Sequence, residues 1–477
     1  MNRILNGILL CFCFATLKLP AFVNARPYTA AVVEYSPKGN VFSQTPAEVL
    51  GQNLNNYKQL IVEAASLGAD IIVFPEYGLT TLTLSSLSRL TARPFLQQFP
   101  SINSSASQLL CDGNTTIPND QLVFTKLSCY ARENAIYVVI NVGEIVMCSA
   151  GQTTTENGVC PDDGAFQYSS DFVFDRNGVL IARYRKTHLF LEPLFQVPPA
   201  TDLTVFSTDF GINFGMMTCF DIMFYEPALT LYYQQGIKDF VFPTAWVDEL
   251  PFLTAIQMQE GWARFLGATL LASNYHLPVN GQIGSGIYDG SGVINYTSSP
   301  DSGTRLVVSQ IGGNENSNLT DFYSNSVSKS TARWMEPHGM LYEDLTNYSN
   351  MELITGEAQT VSLCHDDLCC HLNYSFVCPT RLCGVVACAD QSVQSCAKPT
   401  VTQIAQINAL ELAGNFSSAH QVYPTVITKE LQLLPVGSCE LNFYDGGEVG
   451  LVASRSLSET LAIGLYGRAY EKDIDGK

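Results

Sequence analysis

Three segments of the chain each set a reactive side chain at the end of an apolar, strand-like run. They are Phe74-Pro75-Glu76-Tyr77, Tyr184-Arg185-Lys186-Thr187-His188-Leu189 and Thr218-Cys219-Phe220-Asp221. Together they bring a carboxylate, an ammonium and a thiol. Amide hydrolysis needs a strong nucleophile, a proton carrier and stabilisation of a tetrahedral oxyanion. Cys219 supplies a thiolate once a nearby cation or helix terminus lowers its pKa. Glu76 can take the thiol proton, hand it to the leaving amine and later activate water, provided partial burial raises its pKa towards the working pH. Lys186 can hold the developing negative charge and orient Glu76. Each residue also has a plainer reading: a Pro-Glu turn, a surface lysine and an inert core cysteine. The elements and motifs around them decide between the two.

A strand-like run, 28–35, opens the chain after its first 25 residues. Helical spacing of Leu54, Tyr57, Ile61 and Ala64 predicts a helix over 46–67. Ile71-Ile72-Val73-Phe74 then reads as a fully buried strand, ended by Pro75. Strand, helix, strand in that order argues for layered α/β architecture. The pattern recurs with a helix at 122–131 and a strand at 136–141. Residues 171–174 and 179–184 form a hairpin about Asp175-Arg176-Asn177-Gly178, where Asn-Gly suits a tight turn with positive φ. A strand at 214–218 leads into Cys219, a helix covers 228–235, and a strand lies at 240–242. A helix spans 251–265, with Leu270-Leu271-Ala272 behind it. Near residue 310 the character changes. Residues 314–330 are polar, and the chain beyond is cysteine-dense and alternates like strands, as in 460–466.

Composition limits the partners. Of 477 residues, 46% are hydrophobic and 14% charged, which describes a well-buried globular protein. The formal charge of −19 disfavours nucleic acid and anionic membrane surfaces. Arg3, the apolar stretch 4–15 and the small residues of Val23-Asn24-Ala25 read as a secretory signal over residues 1–25. A membrane anchor there fails on length, since a spanning helix needs roughly 20 unbroken apolar residues. No membrane anchor is visible at the polar C-terminus either, and nothing in the chain fixes an oligomeric state. Cys11 and Cys13 leave with the signal, so thirteen of fifteen cysteines remain. In an oxidising compartment an odd number leaves one thiol over, and isolated Cys219 is the candidate. Local spacing suggests Cys111 with Cys129 and Cys148 with Cys160. Seven Asn-x-Ser/Thr sequons, at Asn103, Asn114, Asn295, Asn318, Asn347, Asn373 and Asn415, are expected on the surface as glycosylation sites.

Other chemistries fit less well. His188 is the obvious partner for Cys219 in a papain-like pair, but Lys186 explains the motif better. Cys364-His365 with Cys369-Cys370-His371 suggests a zinc knuckle, yet in an oxidising compartment these cysteines read as disulfides. The glycines of 284–292 lack the Lys-Ser/Thr and helix start of a phosphate loop and read as turns.

The motifs taken together resemble the carbon–nitrogen hydrolase (nitrilase-like) superfamily, in its vanin and biotinidase branch. They are Phe74-Pro75-Glu76, Arg183-Tyr184-Arg185-Lys186, Phe214-Gly215, Thr218-Cys219-Phe220-Asp221-Ile222 and Phe242-Pro243-Thr244-Ala245-Trp246. Leu271-Ala272-Ser273-Asn274, Gly284-Ser285-Gly286-Ile287, the segment Asp367-Leu368-Cys369-Cys370-His371-Leu372 and Leu465-Tyr466-Gly467-Arg468 extend the likeness over most of 28–472. The resemblance implies that Glu76 is the base, Lys186 the charge stabiliser and Cys219 the nucleophile. Glu192 is similar to a second glutamate near the site, Phe220 offers its backbone N–H to the oxyanion, and Trp246 either lines the pocket or packs in the core. The implied fold is a four-layer α-β-β-α sandwich at 26–310, joined through an exposed loop, 311–329, to a mainly-β, disulfide-rich domain at 330–477. The implied activity is a secreted thiol amidase that needs no cofactor or metal. Its small-molecule substrate is a vitamin amide: pantetheine, giving pantothenate and cysteamine, or alternatively biotinyl-lysine and biotinyl-peptides. A reading of another class, a secreted binding glycoprotein that has lost turnover, is opposed by the intact Glu76, Lys186 and Cys219.

Overall fold

The computed structural model describes residues 27–99, 108–111, 122–300 and 303–312, and stretches between 341 and 470. The secretory signal and the polar segment 314–330 lie outside the described residues. So do Asn103, Asn114, Asn318 and Asn347.

Two sheets dominate the first 312 residues. The first contains β1 (Tyr28–Glu34), β2 (Ile71–Val73), β3 (Tyr137–Met147), β4 (Ala165–Phe174) and β5 (Val179–Arg185). The second contains β6 (Val205–Ser207), β7 (Asn213–Met216), β8 (Asp239–Thr244), β9 (Thr269–Asn274), β10 (Ser285–Asp289) and β11 (Gly292–Thr297). A last strand, β12 (Arg305–Ile311), returns to pair antiparallel with β1 and closes that edge of the first sheet. In each sheet the central trio, β1-β2-β3 or β7-β8-β9, runs parallel, and antiparallel strands flank it.

The period-two alternation of strand side chains builds the layers. Ile71, Val73, Val139 and Val173 of the first sheet meet Phe214, Met216, Val241 and Leu271 of the second in one shared core. Their neighbours Ile72, Phe74, Val138, Ile140 and Phe172 point the other way, onto α1 (Pro46–Ser66) and α2 (Leu122–Asn134). Phe240, Phe242, Leu270 and Ala272 likewise face α3 (Ala228–Gln235) and α4 (Ala255–Leu266). The result is helix, sheet, sheet, helix, as the motifs implied. Strands buried on both faces must be apolar throughout, which is why they read as continuous hydrophobic runs.

Local signals set the ends of these elements. Thr45 caps α1 in a reciprocal box with Glu48, and Pro46 fits the first turn. Thr254 and Gln257 make the same box at α4, so that helix begins at Ala255 rather than near Pro251. The hairpin between β4 and β5 turns as expected, with Gly178 at φ 77 and Asp175 accepting from the N–H groups of Asn177 and Val179. A Cβ at Gly178 would lie 2.3 Å from the Ser128 carbonyl, so the turn presses directly on α2. The strand expected to run into Cys219 stops at Met216, and Cys219 opens a 3-10 turn, Cys219–Met223.

The C-terminal part is β-rich, as expected. One sheet holds β13 (Ala358–His365), β14 (Leu368–Val377), β15 (Gln406–Asn415), β17 (Cys439–Phe443) and β18 (Glu448–Ala453). The other is built on β16 (His420–Thr428) and β19 (Thr460–Ala469), and its core includes Leu250 from the segment before α4. Helix α4 docks on β16: Gln257 Nε2 donates to Thr425 Oγ1 at 2.7 Å, and Arg264 donates to the Cys439 carbonyl at 2.9 Å. Gly261 is needed there, since a Cβ would come within 2.6 Å of the Pro424 carbonyl oxygen.

Cys111–Cys129 and Cys148–Cys160 are disulfides, as local spacing suggested. Cys219 is free, but so is Cys439, which corrects the parity argument that left a single thiol. Burial keeps the Cys439 thiol protonated, its pKa pushed up to about 11. Asn295 sits half-buried in β11, its amide donating to the Val308 carbonyl at 3.3 Å, instead of standing free at the surface. The side chains of Asn373 and Asn415 lie outside the described residues.

Candidate active site

The three candidate residues leave the strands at one end of the sandwich. Glu76 follows β2, Lys186 follows β5, and Cys219 follows β7 on the facing sheet. Chain segments 110 residues apart thus meet in one ion pair, with Lys186 Nζ 2.8 Å from Glu76 Oε1. The same ammonium donates to Glu192 Oε2 at 2.5 Å. All four side chains are buried. Strand alternation aims the cluster: Arg185 turns outward to a bidentate pair with Glu144, whereas its neighbours Tyr184 and Lys186 turn inward.

Burial and charge fix the protonation states. Burial lifts Glu76 from 4.5 to about 7; Lys186 opposes that rise and Glu192 adds to it. Burial works against the Lys186 charge, but Glu192, Glu76 and Cys219 outweigh it, so the ammonium stays charged well above its ordinary range. The Cys219 thiol is pushed up to about 12 by burial and by Glu76, with Lys186 pulling the other way. At rest Cys219 is therefore a thiol. Glu76, whose charge acts on that thiol and which itself titrates near neutral pH, has the pKa of a group that can take its proton.

Backbone strain marks two residues of the cluster. Cys219 has φ 48 and Tyr77, next to Glu76, has φ 58, each in the left-handed region that costs an L-residue about 1–3 kcal/mol. Such conformations persist only where the surroundings hold them. The Tyr77 N–H donates to Asn141 Oδ1 at 3.2 Å, and its hydroxyl to Glu192 Oε1 at 2.6 Å. Thr218, just before Cys219, donates its hydroxyl to Asp171 at 2.6 Å and its N–H to Asp221 at 3.0 Å. Asn141 donates to Asp171 at 2.9 Å, so a single buried carboxyl ties the Glu76 loop to the Cys219 turn. Burial pushes Asp171 well above its ordinary pKa, against those hydrogen bonds.

The remaining sequence candidates are placed as follows. Glu192 joins the cluster, and the Phe190 N–H donates to it at 3.0 Å. Phe220 stacks edge-on to Phe190 and Phe224 beside Cys219. Trp246 packs in the same apolar cluster as Cys219 and donates its indole N–H to the Leu253 carbonyl at 2.9 Å, so core packing accounts for it. His188 directs both its backbone N–H and its Nδ1 to Asp221, each at 2.9 Å, and its ring stacks on Phe224 at 3.7 Å. It serves as an anchor for the turn, with its hydrogen bonds committed away from Cys219. Among the described residues there is no group of three or more His, Cys, Asp or Glu side chains that could hold a metal ion.

Sequence reading missed Asn141, Asp171 and Tyr77. Polar residues inside fully buried strands were the available signal, because buried polar groups must be paired.

Sequence comparison identifies two domain families in the chain. The carbon–nitrogen hydrolase family model matches residues 29–257, and the vanin C-terminal domain model matches residues 377–473. The pantetheinase of Mus musculus is 32% identical over 479 residues, covering 94% of this chain and 90% of its own length. The pantetheinase of Homo sapiens is 31% identical over 483 residues, with coverage of 94% and 90%. The biotinidase of Bos taurus is 29% identical over 541 residues and covers 98% of both chains.

Proposed function

The chain belongs to the carbon–nitrogen hydrolase family, as a member with a vanin-type C-terminal domain, and from that premise we propose that it cleaves the linear amide of pantetheine. Its class is hydrolysis of carbon–nitrogen bonds in amides. Its products are pantothenate and cysteamine. The observation that carries the reading is the Glu76–Lys186 contact of 2.8 Å, with Glu76 titrating near 7 beside the Cys219 thiol.

In this mechanism Glu76 removes the Cys219 proton as sulfur adds to the amide carbonyl. Lys186 and the Phe220 N–H stabilise the oxyanion. The tetrahedral species collapses, the carbon–nitrogen bond breaks, and Glu76 returns the proton to the departing amine. Water, deprotonated by Glu76, then attacks the thioester and releases the acid with the thiol restored. Glu192 and Tyr77 hold Lys186 in place. Residues 26–310 form the catalytic domain and 330–477 the second domain. The 25-residue leader and the two disulfides support secretion. Among the described residues no helix is long and apolar enough to cross a membrane.

Relatives named biotinidase keep biotinyl-lysine as the second reading. Purified protein is incubated with pantetheine and with biotinyl-lysine beside a Cys219→Ala control. Faster amine release from pantetheine, absent in the control, is expected. Equal release by both proteins, or none by either, sinks the amidase assignment, and a preference for biotinyl-lysine reverses the substrate.

A further inference from the structure

The turn that carries Cys219 is held at both ends. At its start, Thr218 is fixed by Asp171 and Asp221. At its end, the grip comes from the C-terminal domain. Arg468, on β19, donates from Nε to the Met223 carbonyl at 2.8 Å. Its guanidinium lies 5.6 Å from the Phe224 ring and the same distance from the Tyr470 ring. Phe224 in turn stacks on His188, and His188 is bound to Asp221. Tyr470 packs edge-on to Tyr225, and its hydroxyl meets that of Tyr423 at 2.5 Å. One side chain from the second domain thus reaches the far end of a five-residue turn whose first residue is a strained nucleophile at φ 48.

We propose that Arg468 is a positioning residue for Cys219, so that the C-terminal domain takes part in catalysis as well as covering α4. A non-glycine residue at positive φ relaxes when its surroundings loosen. Freeing the Met223 carbonyl releases the end of the turn, and a displacement of about 1 Å at the sulfur is worth up to roughly a hundredfold in rate. The proposal rests on the amidase reading of Cys219.

Two variants of the full chain test it. Arg468→Met keeps an apolar stem over Phe224 but loses the donor and the charge, whereas Arg468→Lys keeps a cationic donor. In Arg468→Met, kcat for pantetheine falls between about ten- and a hundredfold while KM changes less than about twofold. Alkylation of Cys219 by iodoacetamide, followed on its own peptide by mass spectrometry, slows alongside kcat. Arg468→Lys recovers most of both rates. The proposal is overturned if Arg468→Met keeps both rates within about twofold of the parent. It is equally overturned if the lysine variant fails to recover them, because the residue then serves docking alone. If the parent protein releases no amine from either substrate, the amidase reading has failed, and the alkylation rates still decide the role of Arg468.

Discussion

Replacing Glu76 by Gln separates the cost of burying the base from its use. The amide keeps the shape of the carboxylate and an acceptor for Lys186 Nζ, but it cannot ionise. In the parent protein burial holds the Glu76 pKa at about 7 against an ordinary 4.5, even with Lys186 at 2.8 Å. An acid whose folded pKa lies above its unfolded value binds its proton more tightly when folded. Stability is therefore present below pH 4.5 and is lost as pH rises through 7. At 1.36 kcal/mol per pH unit, the interval corresponds to about 3 kcal/mol. Glu76→Gln imitates the protonated form at every pH. It should match the parent near pH 4 and exceed it by about 3 kcal/mol at pH 8, on the order of 5 °C or more in unfolding midpoint. Its turnover should fall by roughly a hundred- to ten-thousandfold. Thermal unfolding followed by near-UV circular dichroism at steps from pH 4 to 8, with amine release measured on the same samples, reads both quantities. An offset that stays constant across pH, or a variant less stable than the parent at pH 8, refutes the reasoning. Lys186 would then satisfy the carboxylate fully, and Glu76 would be a structural counter-ion too weak to deprotonate a buried thiol.

Two further outcomes follow from the same geometry. kcat/KM for pantetheine should rise with pH through a single ionisation near 7, as Glu76 loses its proton and becomes the base; a flat profile from pH 5 to 9 removes that assignment. Cys219→Gly should be more stable than Cys219→Ala by about 1 kcal/mol, because φ 48 strains alanine and not glycine. Chemical denaturation of the two inactive proteins decides it, and equal midpoints would mean that the turn relaxes once the sulfur is gone.

Much of the sandwich could be read from local signals. Ile71 to Phe74 is short, apolar and stopped by Pro75, which leaves a doubly buried strand as its only comfortable state. The α1 helix announces itself through Thr45, Pro46 and Glu48 as well as through its apolar stripe. Boundaries failed where side chains outside the element set them. Pro251 to Thr254 looked helical, but the Thr254–Gln257 box starts the helix at Ala255, and Leu250 is drawn instead into the core of the second domain. The strand before Cys219 looked continuous from Phe214 to Thr218. Asp171 and Asp221 take hold of Thr218, and the backbone leaves the sheet at Met216. Cysteine parity failed for a similar reason. It treats every buried thiol as a bonding partner, whereas Cys439 is shielded in a strand beside Arg264.

The candidate trio was visible because each member stands at the end of its own apolar run. What makes it reactive was spread through residues that carry no motif. Asn141, Ser169 and Asp171 lie inside β3 and β4, strands buried along most of their length, where an unpaired polar group would cost about 1–3 kcal/mol. Their presence there is itself the signal that something at that end of the sheets must be held. Asn141 reaches the Tyr77 N–H, and Ser169 reaches Glu76 at 3.4 Å. Asp171 reaches Thr218, so Glu76 and Cys219 are braced from one pair of adjacent strands. Glu76 and Cys219 come from different sheets and have no backbone contact that would fix their separation. The polar residues of β3 and β4 supply the fixed reference between them. A cluster so costly to bury therefore stands at the ends of paired sheet strands, whose rigidity holds Glu76 and the strained Cys219 in register.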